Sequence, residues 1–386
     1  MPLDFSVVSR EMDALAAQLK PEERARLLRE AQSLLRNADP EKVRENVVER
    51  RKRYPWLVAN PLRSLRDTFA VPALPAGGYS VAASDGSNIP PDRHSPVQYC
   101  ILNVSKVVLT YGEKPAASLK AATEMLYKEE ELKVGNVPLR GELLGAKMAV
   151  LELEVLLDTA RSAPGPRAAL RDGSLILFGI QSQPDAIRER FTFEFRKALE
   201  DFRDEGIPLL SYISYSGARD LCNALRVALC ETDPTMCATC ESGRKKLCEF
   251  LGKLRDRELL QGYLAPGHRT DLFATVSDVV KDYGADNAIL FCYLDVGGEI
   301  ARVEMPAWMA EDEAALNFGL GVAFHQCALS GDNPPYPLAL MEAHEAAVID
   351  VSARRVVEEL MERRFAERGL PYARSGKDRS KRRRGV

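Results

Sequence analysis

The chain has 386 residues, 46% of them hydrophobic and 28% charged, with a formal net charge of −3. That length can bury one large core or two smaller ones, and the composition is ordinary for a globular protein. The charge excludes polyanion binding by the surface as a whole while leaving room for a local basic groove or tail. The lack of a run of about 18 apolar residues excludes a membrane-spanning helix. The N-terminus lacks a basic stretch followed by an apolar one, so no signal peptide and a cytoplasmic location are expected.

Residues 1 to about 66 read as helical and highly charged. Pro21 and Pro40 each open a helix, with Glu22, Glu23 and Glu41 in the first turns. This segment is either an arm that needs a partner surface or a helical pair packed on its own domain. A Pro/Gly-rich link at 71–78 leads into the apolar run that ends at Asp85-Gly86-Ser87. Residues 99–111 are β-branched and partly alternating, which predicts a strand. Residues 118–133 and 139–160 read as helices, followed by strands at about 168–178 and 207–214 and a helix at 217–229. Residues 287–305 predict a hairpin turning at Gly297-Gly298. Helices follow from about 311 to 367, so the order describes a mixed α/β or α+β domain. Residues 374–384 carry seven Lys/Arg and one Asp, a basic tail expected to be disordered and able to touch phosphates or a partner.

Two apolar runs end in the same three residues, Asp85-Gly86-Ser87 and Asp172-Gly173-Ser174. An Asp at the tip of a buried strand is costly unless it is paired, hydrogen-bonded or bound to metal. Singly, Asp-Gly is turn chemistry. The repetition, with an acidic helix between, points to a carboxylate site for a hard divalent cation. That helix, 143–157, is apolar nearly all round and therefore buried, which places Glu152 and Glu154 in or beside a core. The two point about 160° apart on a helical wheel, so at most one faces a given site. His344 follows Tyr336 by two turns, so both can lie on one helix face.

Together these pieces resemble the NurA nuclease family. The resemblance rests on Ala83-Ser84-Asp85-Gly86-Ser87, the helix bearing Glu152 and Glu154, and Leu170-Arg171-Asp172-Gly173-Ser174-Leu175. It continues through Ile300-Ala301-Arg302-Val303-Glu304-Met305-Pro306-Ala307-Trp308 to the closing Tyr336-Pro337 and Ala343-His344. It implies an RNase H-like mixed sheet core flanked by helices, and a manganese-dependent DNA nuclease. It also implies a homodimer that works with HerA, a hexameric DNA-translocating ATPase, in DNA end resection. By position, Asp85, Asp172 and Glu152 or Glu154 would bind the catalytic Mn²⁺ or Mg²⁺, and Tyr336 and His344 would complete the site. The wheel does not choose between the two glutamates, and Glu152 is slightly favoured. Carboxylates suit either ion, and an added imidazole tilts the choice toward Mn²⁺. His268, Arg269 and Arg302 are candidate DNA contacts, while His94 and His325 read as structural.

Cys230, Cys237, Cys240 and Cys248 lie within 19 residues in a C-x6-C-x2-C-x7-C spacing. Four such thiolates in a reducing compartment suggest a structural metal site, either zinc or a [4Fe–4S] cluster. Zinc is slightly favoured, and this insert rests on spacing alone. Cys100, Cys222, Cys292 and Cys327 sit in apolar runs and read as core. The domains expected are a helical N-terminal arm (1–70), a nuclease domain (71–367, with the cysteine-rich insert at 230–248) and a basic tail (368–386). The competing reading is a catalytically silent adaptor or DNA-binding scaffold for a partner ATPase, in which the carboxylates would point apart. A phosphotransferase is weakened by the lack of a phosphate-binding glycine motif.

Overall fold

The computed structural model describes residues 3–17, 20–50, 56–93, 95–230, 237, 240–331 and 333–370. The basic run 374–384 and His94 lie outside them. In chain order the elements are α1 (Phe5–Ala17), α2 (Pro21–Asn37), α3 (Pro40–Arg50), β1 (Asn60–Pro61), β2 (Thr68–Ala70), β3 (Tyr79–Ser84), β4 (Gly86–Ile89), β5 (Cys100–Tyr111) and β6 (Ala116–Leu126). A small hairpin, β7 (Lys133–Val134) and β8 (Val137–Pro138), leads to α4 (Glu142–Ser162), β9 (Arg167–Asp172), α5 (Asp185–Asp204) and β10 (Leu209–Ile213). Then come α6 (Asp220–Leu229), α7 (Lys245–Leu251), α8 (Asp256–Leu260), β11 (His268–Thr270), β12 (Phe273–Ala274), β13 (Ile289–Asp295) and β14 (Ile300–Pro306). The chain closes with α9 (Ala307–Glu311), α10 (Glu313–Ser330), α11 (Leu338–Ala347) and α12 (Val351–Glu367).

Among the described residues, a twelve-stranded mixed sheet forms the centre. β3 pairs antiparallel with β5, and β5 with β6. β9 then pairs parallel with β3, and β10 parallel with β9, through crossovers that carry α4 and α5. Three antiparallel strands followed by two parallel ones in the order β6-β5-β3-β9-β10 make the RNase H-like core that was expected. The predicted hairpin, β13 and β14, extends the sheet beyond β10. Every residue of β13 and β14 is buried, as strands covered on both faces must be.

Alternation along β3 sorts the two faces. Ala82 joins the core made with α4 and α5 through Leu153, Leu156, Phe195 and Leu199. Val81 and Ala83 join the opposite core with Leu320, Leu340 and Ala343 of α10 and α11. A third core packs Ala31, Leu35, Val43 and Val47 of α2 and α3 against Leu221, Leu225 and Leu251 of α6 and α7. No residue of α1 is buried.

Two expectations change. In place of the helix expected over 118–133, residues 116–126 form strand β6, paired with β5 from Cys100↔Leu126 to Thr110↔Ala116. Its Ala, Lys, Glu, Leu and Met residues favour helix locally, but the open edge of β5 wins. All but Leu126 are exposed, with Lys120 and Glu124 on the outer strand. The strand expected at 168–178 ends at Asp172, because Gly173 adopts φ +79° and turns the chain away.

Candidate active site

The first Asp-Gly is not a turn. β3 and β4 pair with the same strand in one unbroken register, Ala83 opposite Val107 and Gly86 opposite Val104. Asp85 sits inside this continuous strand. Its N–H donates to Ser105 Oγ at 2.9 Å, and its carbonyl accepts from the Ser105 N–H at 2.9 Å. The neighbouring β9 pairs Arg171 with Ser84 and stops at Asp172, so the two aspartates fall side by side where the parallel pairing ends. The second Asp-Gly is a turn, with Gly173 in the left-handed region.

Alternation sends Asp85 to the α11 face. There His344 Nδ1 lies 2.8 Å from Asp85 Oδ2, with the imidazole 64% exposed and the carboxylate 22%. On the same face the Tyr336 hydroxyl donates to the Asp172 carboxylate. Two anchors hold α11 for this purpose. Gln326 Oε1 accepts from the Ala339 N–H at 3.0 Å at its start, and Asn103 Nδ2 donates to the Ala347 carbonyl at 2.7 Å at its end.

Glu152 arrives from α4 on the other face. The Ser84 hydroxyl donates to the Glu152 carbonyl at 2.9 Å and ties the helix to β3. The carboxylate passes directly over Gly86: a Cβ built there would lie 2.5 Å from Glu152 Oε1 and also collide with Met148. Glycine at position 86 is therefore a matter of space, not of backbone angle. Glu152 pairs with Arg171 at 3.5 Å, and the Arg171 guanidinium lies 5.5 Å from the Phe195 ring centroid.

The electrostatics are those of crowded acids. Desolvation is the largest influence on Glu152, raising its carboxyl to about 7. Arg171 pulls it down, and the charges of Asp85 and Asp172 push it up again. Asp172 keeps an open side to solvent, yet desolvation still raises its carboxyl; the Tyr336 hydrogen bond opposes this and Asp85 adds to it. Burial, and then the Asp172 charge, raise the Tyr336 phenol. Among the described residues no three His, Cys, Asp or Glu side chains form a ready-made metal group. Asp85 and Asp172 both act on Glu152 electrostatically, while Glu152 is paired with Arg171 and His344 with Asp85.

Other expected site residues lie elsewhere. Glu154 is exposed on the outer side of α4, raised by burial and by Glu194, with Lys147, Asp158 and Asp201 around it. Arg302 is 4% exposed and donates to Asp220 at 2.5 Å and to Glu304 at 2.8 Å, so its charge is spent inside the fold. Arg269 is buried, donating to the Thr270 carbonyl and lying over the Phe69 ring. His268 and Arg269 sit on β11, four strand spacings from β9, roughly 19 Å at about 4.8 Å per strand. His325 bonds the Tyr79 hydroxyl at 2.8 Å, a structural place. Two residues were missed. Arg171 partners Glu152, and a basic residue beside an Asp in a buried strand was its signal. Glu304 holds the loop after Asp172 by accepting from Ser174 Oγ at 2.8 Å and the Leu175 N–H at 2.9 Å.

A family model described as NurA domain matches residues 79–349. A search of curated proteins finds no match. Among solved structures the chain is similar to NurA bound to dAMP and manganese, at 15% identity over 94% of this chain and 98% of that chain, with a TM-score of 0.40. It is similar to NurA with manganese at 14% identity over 76% and 90%, TM-score 0.37. The catalytic domain of human Endonuclease V matches at 14% identity over 77% and 86%, TM-score 0.32.

Proposed function

This chain belongs to the NurA domain family, and from that premise we propose that it is a divalent-metal-dependent deoxyribonuclease. Its finer role in this reading is to hydrolyse phosphodiester bonds at DNA ends, as a homodimer, together with a HerA-type hexameric ATPase in end resection. The observation that supports the proposal is that Asp85 and Asp172 fall side by side on neighbouring parallel strands while Glu152, from α4, feels the charge of both. An adaptor would have no reason to bury an acid beside two others at a cost in folded-state stability.

The donor set fits a hard cation. Two aspartates, one glutamate and a nearby imidazole are the ligand types for Mg²⁺ or Mn²⁺, and the imidazole favours Mn²⁺. Glu152 is raised chiefly by desolvation and further by the charges of Asp85 and Asp172, a perturbation typical of functional acids. Asp85, Asp172 and Glu152 would hold the metal, with His344 as a further ligand. A bound divalent ion would supply an activated water and relief of charge on the leaving oxygen. Arg171 keeps Glu152 oriented until the acid is needed at the site. Tyr336 orients Asp172 by its hydrogen bond. If His344 does not bind the metal, its alternative role, held at Nδ1 by Asp85 and open to solvent, is to pass a proton to or from the leaving group.

The test is degradation of linear duplex and single-stranded DNA with Mn²⁺, with Mg²⁺ and with EDTA, beside an Asp85→Ala variant. Metal-dependent degradation that vanishes in the variant is expected. No degradation, even with a HerA-type ATPase added, would return the chain to the adaptor reading.

A further inference from the structure

Between α6 and α7 lies a cluster that the nuclease chemistry does not use. Cys230 follows the last residue of α6, its N–H donating to the Val227 carbonyl at 3.3 Å. Cys248 lies within α7, its N–H donating to the Arg244 carbonyl at 3.0 Å. The Cys240 N–H donates to the Cys237 carbonyl at 3.4 Å. All four cysteines line one cavity of about 70 Å³. Cys248, Cys230 and Cys240 each act electrostatically on Cys237, as does Arg226, so each stands within reach of that residue.

Cysteines that serve only as small hydrophobes belong in cores, where Cys100, Cys222, Cys292 and Cys327 are buried in this chain. The four at 230–248 are half-buried or exposed. We propose that Cys230, Cys237, Cys240 and Cys248 bind one structural zinc ion. The cavity has room for an ion, since its volume of about 70 Å³ exceeds the roughly 10–15 Å³ that one water needs on the same measure. Four thiolates on Zn²⁺ leave a net charge of −2. The same cavity is lined by Arg226, Arg244 and Lys245 against Glu249, a net +2 that neutralises it. Each thiol gives its proton to solvent on binding, so affinity rises with pH. Among the described residues no three of the sulfurs are grouped for a metal, so binding requires them to close to the zinc–sulfur distance of about 2.3 Å. Its effect is to staple α7 to α6, and α7 in turn carries α2 through the Lys246–Glu23 ion pair.

The full-length chain, purified without a polyhistidine tag, is assayed by elemental analysis and by mercurial titration with a chromogenic zinc chelator. One zinc per chain is expected, released as four thiolates are titrated. It is retained in Asp85→Ala and lost in the Cys237→Ser/Cys240→Ser double variant. Should that variant precipitate, wild-type protein reloaded with Co²⁺ supplies the second readout, an intense thiolate-to-cobalt charge-transfer band. Wild-type protein without zinc, its four cysteines alkylating freely or joined as disulfides, overturns the proposal, as does a cobalt spectrum lacking the thiolate band. Iron with acid-labile sulfide in place of zinc also overturns it.

Discussion

Replacing Glu152 by Gln separates the electrostatic cost of this site from its catalytic use. The Glu152 carboxyl is raised from 4.5 to about 7, mainly by desolvation, and its side chain is only 16% exposed. Between those values the folded protein holds a proton that the unfolded chain has released. Stability therefore falls as pH rises through this window, by about 1.4 kcal/mol per pH unit, or about 3 kcal/mol in all. The contribution is complete below about 4.5 and gone above about 7. Gln carries no such dependence. The lost Arg171 partner offsets the variant by a constant amount, so the informative quantity is the change in the difference between the two proteins. In chelator, the melting temperature of Glu152→Gln relative to wild type should climb between pH 4.5 and 8 by on the order of 5 °C. Adding Mn²⁺ should stabilise wild type by mass action and the variant far less, while DNA cleavage is lost in the variant. A difference that stays flat across that range, or equal stabilisation of both proteins by Mn²⁺, would refute the placement of Glu152 among the acids.

Gly86→Ala drives a methyl group into Met148 and the Glu152 carboxylate, so cleavage should fall at least about 10-fold with secondary structure retained by circular dichroism. Tyr336→Phe removes the hydrogen bond that lowers the Asp172 carboxyl; the acid limb of the pH–rate profile should move to higher pH, and an unmoved limb would show that Tyr336 does not act through Asp172. Glu154→Gln should leave cleavage within about twofold of wild type, since that residue is exposed away from the aspartates, and kinetics matching the loss in Glu152→Gln would reverse the choice between the two glutamates.

Much of the frame was legible in the chain order of its patterns. Residues 99–111 alternate, 287–305 turn at paired glycines, and 143–157 are apolar nearly all round, and each of these became the element expected. Strand β6 was not legible, because its residues favour helix and only the free edge of β5 makes them a strand. The repeated Asp-Gly-Ser pointed to Asp85 and Asp172 but not to how they meet. One lies inside an unbroken strand and the other at the end of its parallel neighbour.

By itself the sequence determined the residue types of this site and the order of the elements that carry them, because periodicity and turn chemistry are local properties. Only the tertiary structure decided which glutamate joins the aspartates, since a helical wheel has no reference direction until α4 is docked on β3 through Ser84. The same docking explains why a side chain at position 86 would displace the Met148 methyl and the Glu152 carboxylate. It also decided that Arg302 is committed to Asp220 and Glu304. A buried charge takes whatever partner the fold brings within reach, and that partner stands 82 residues away in the chain.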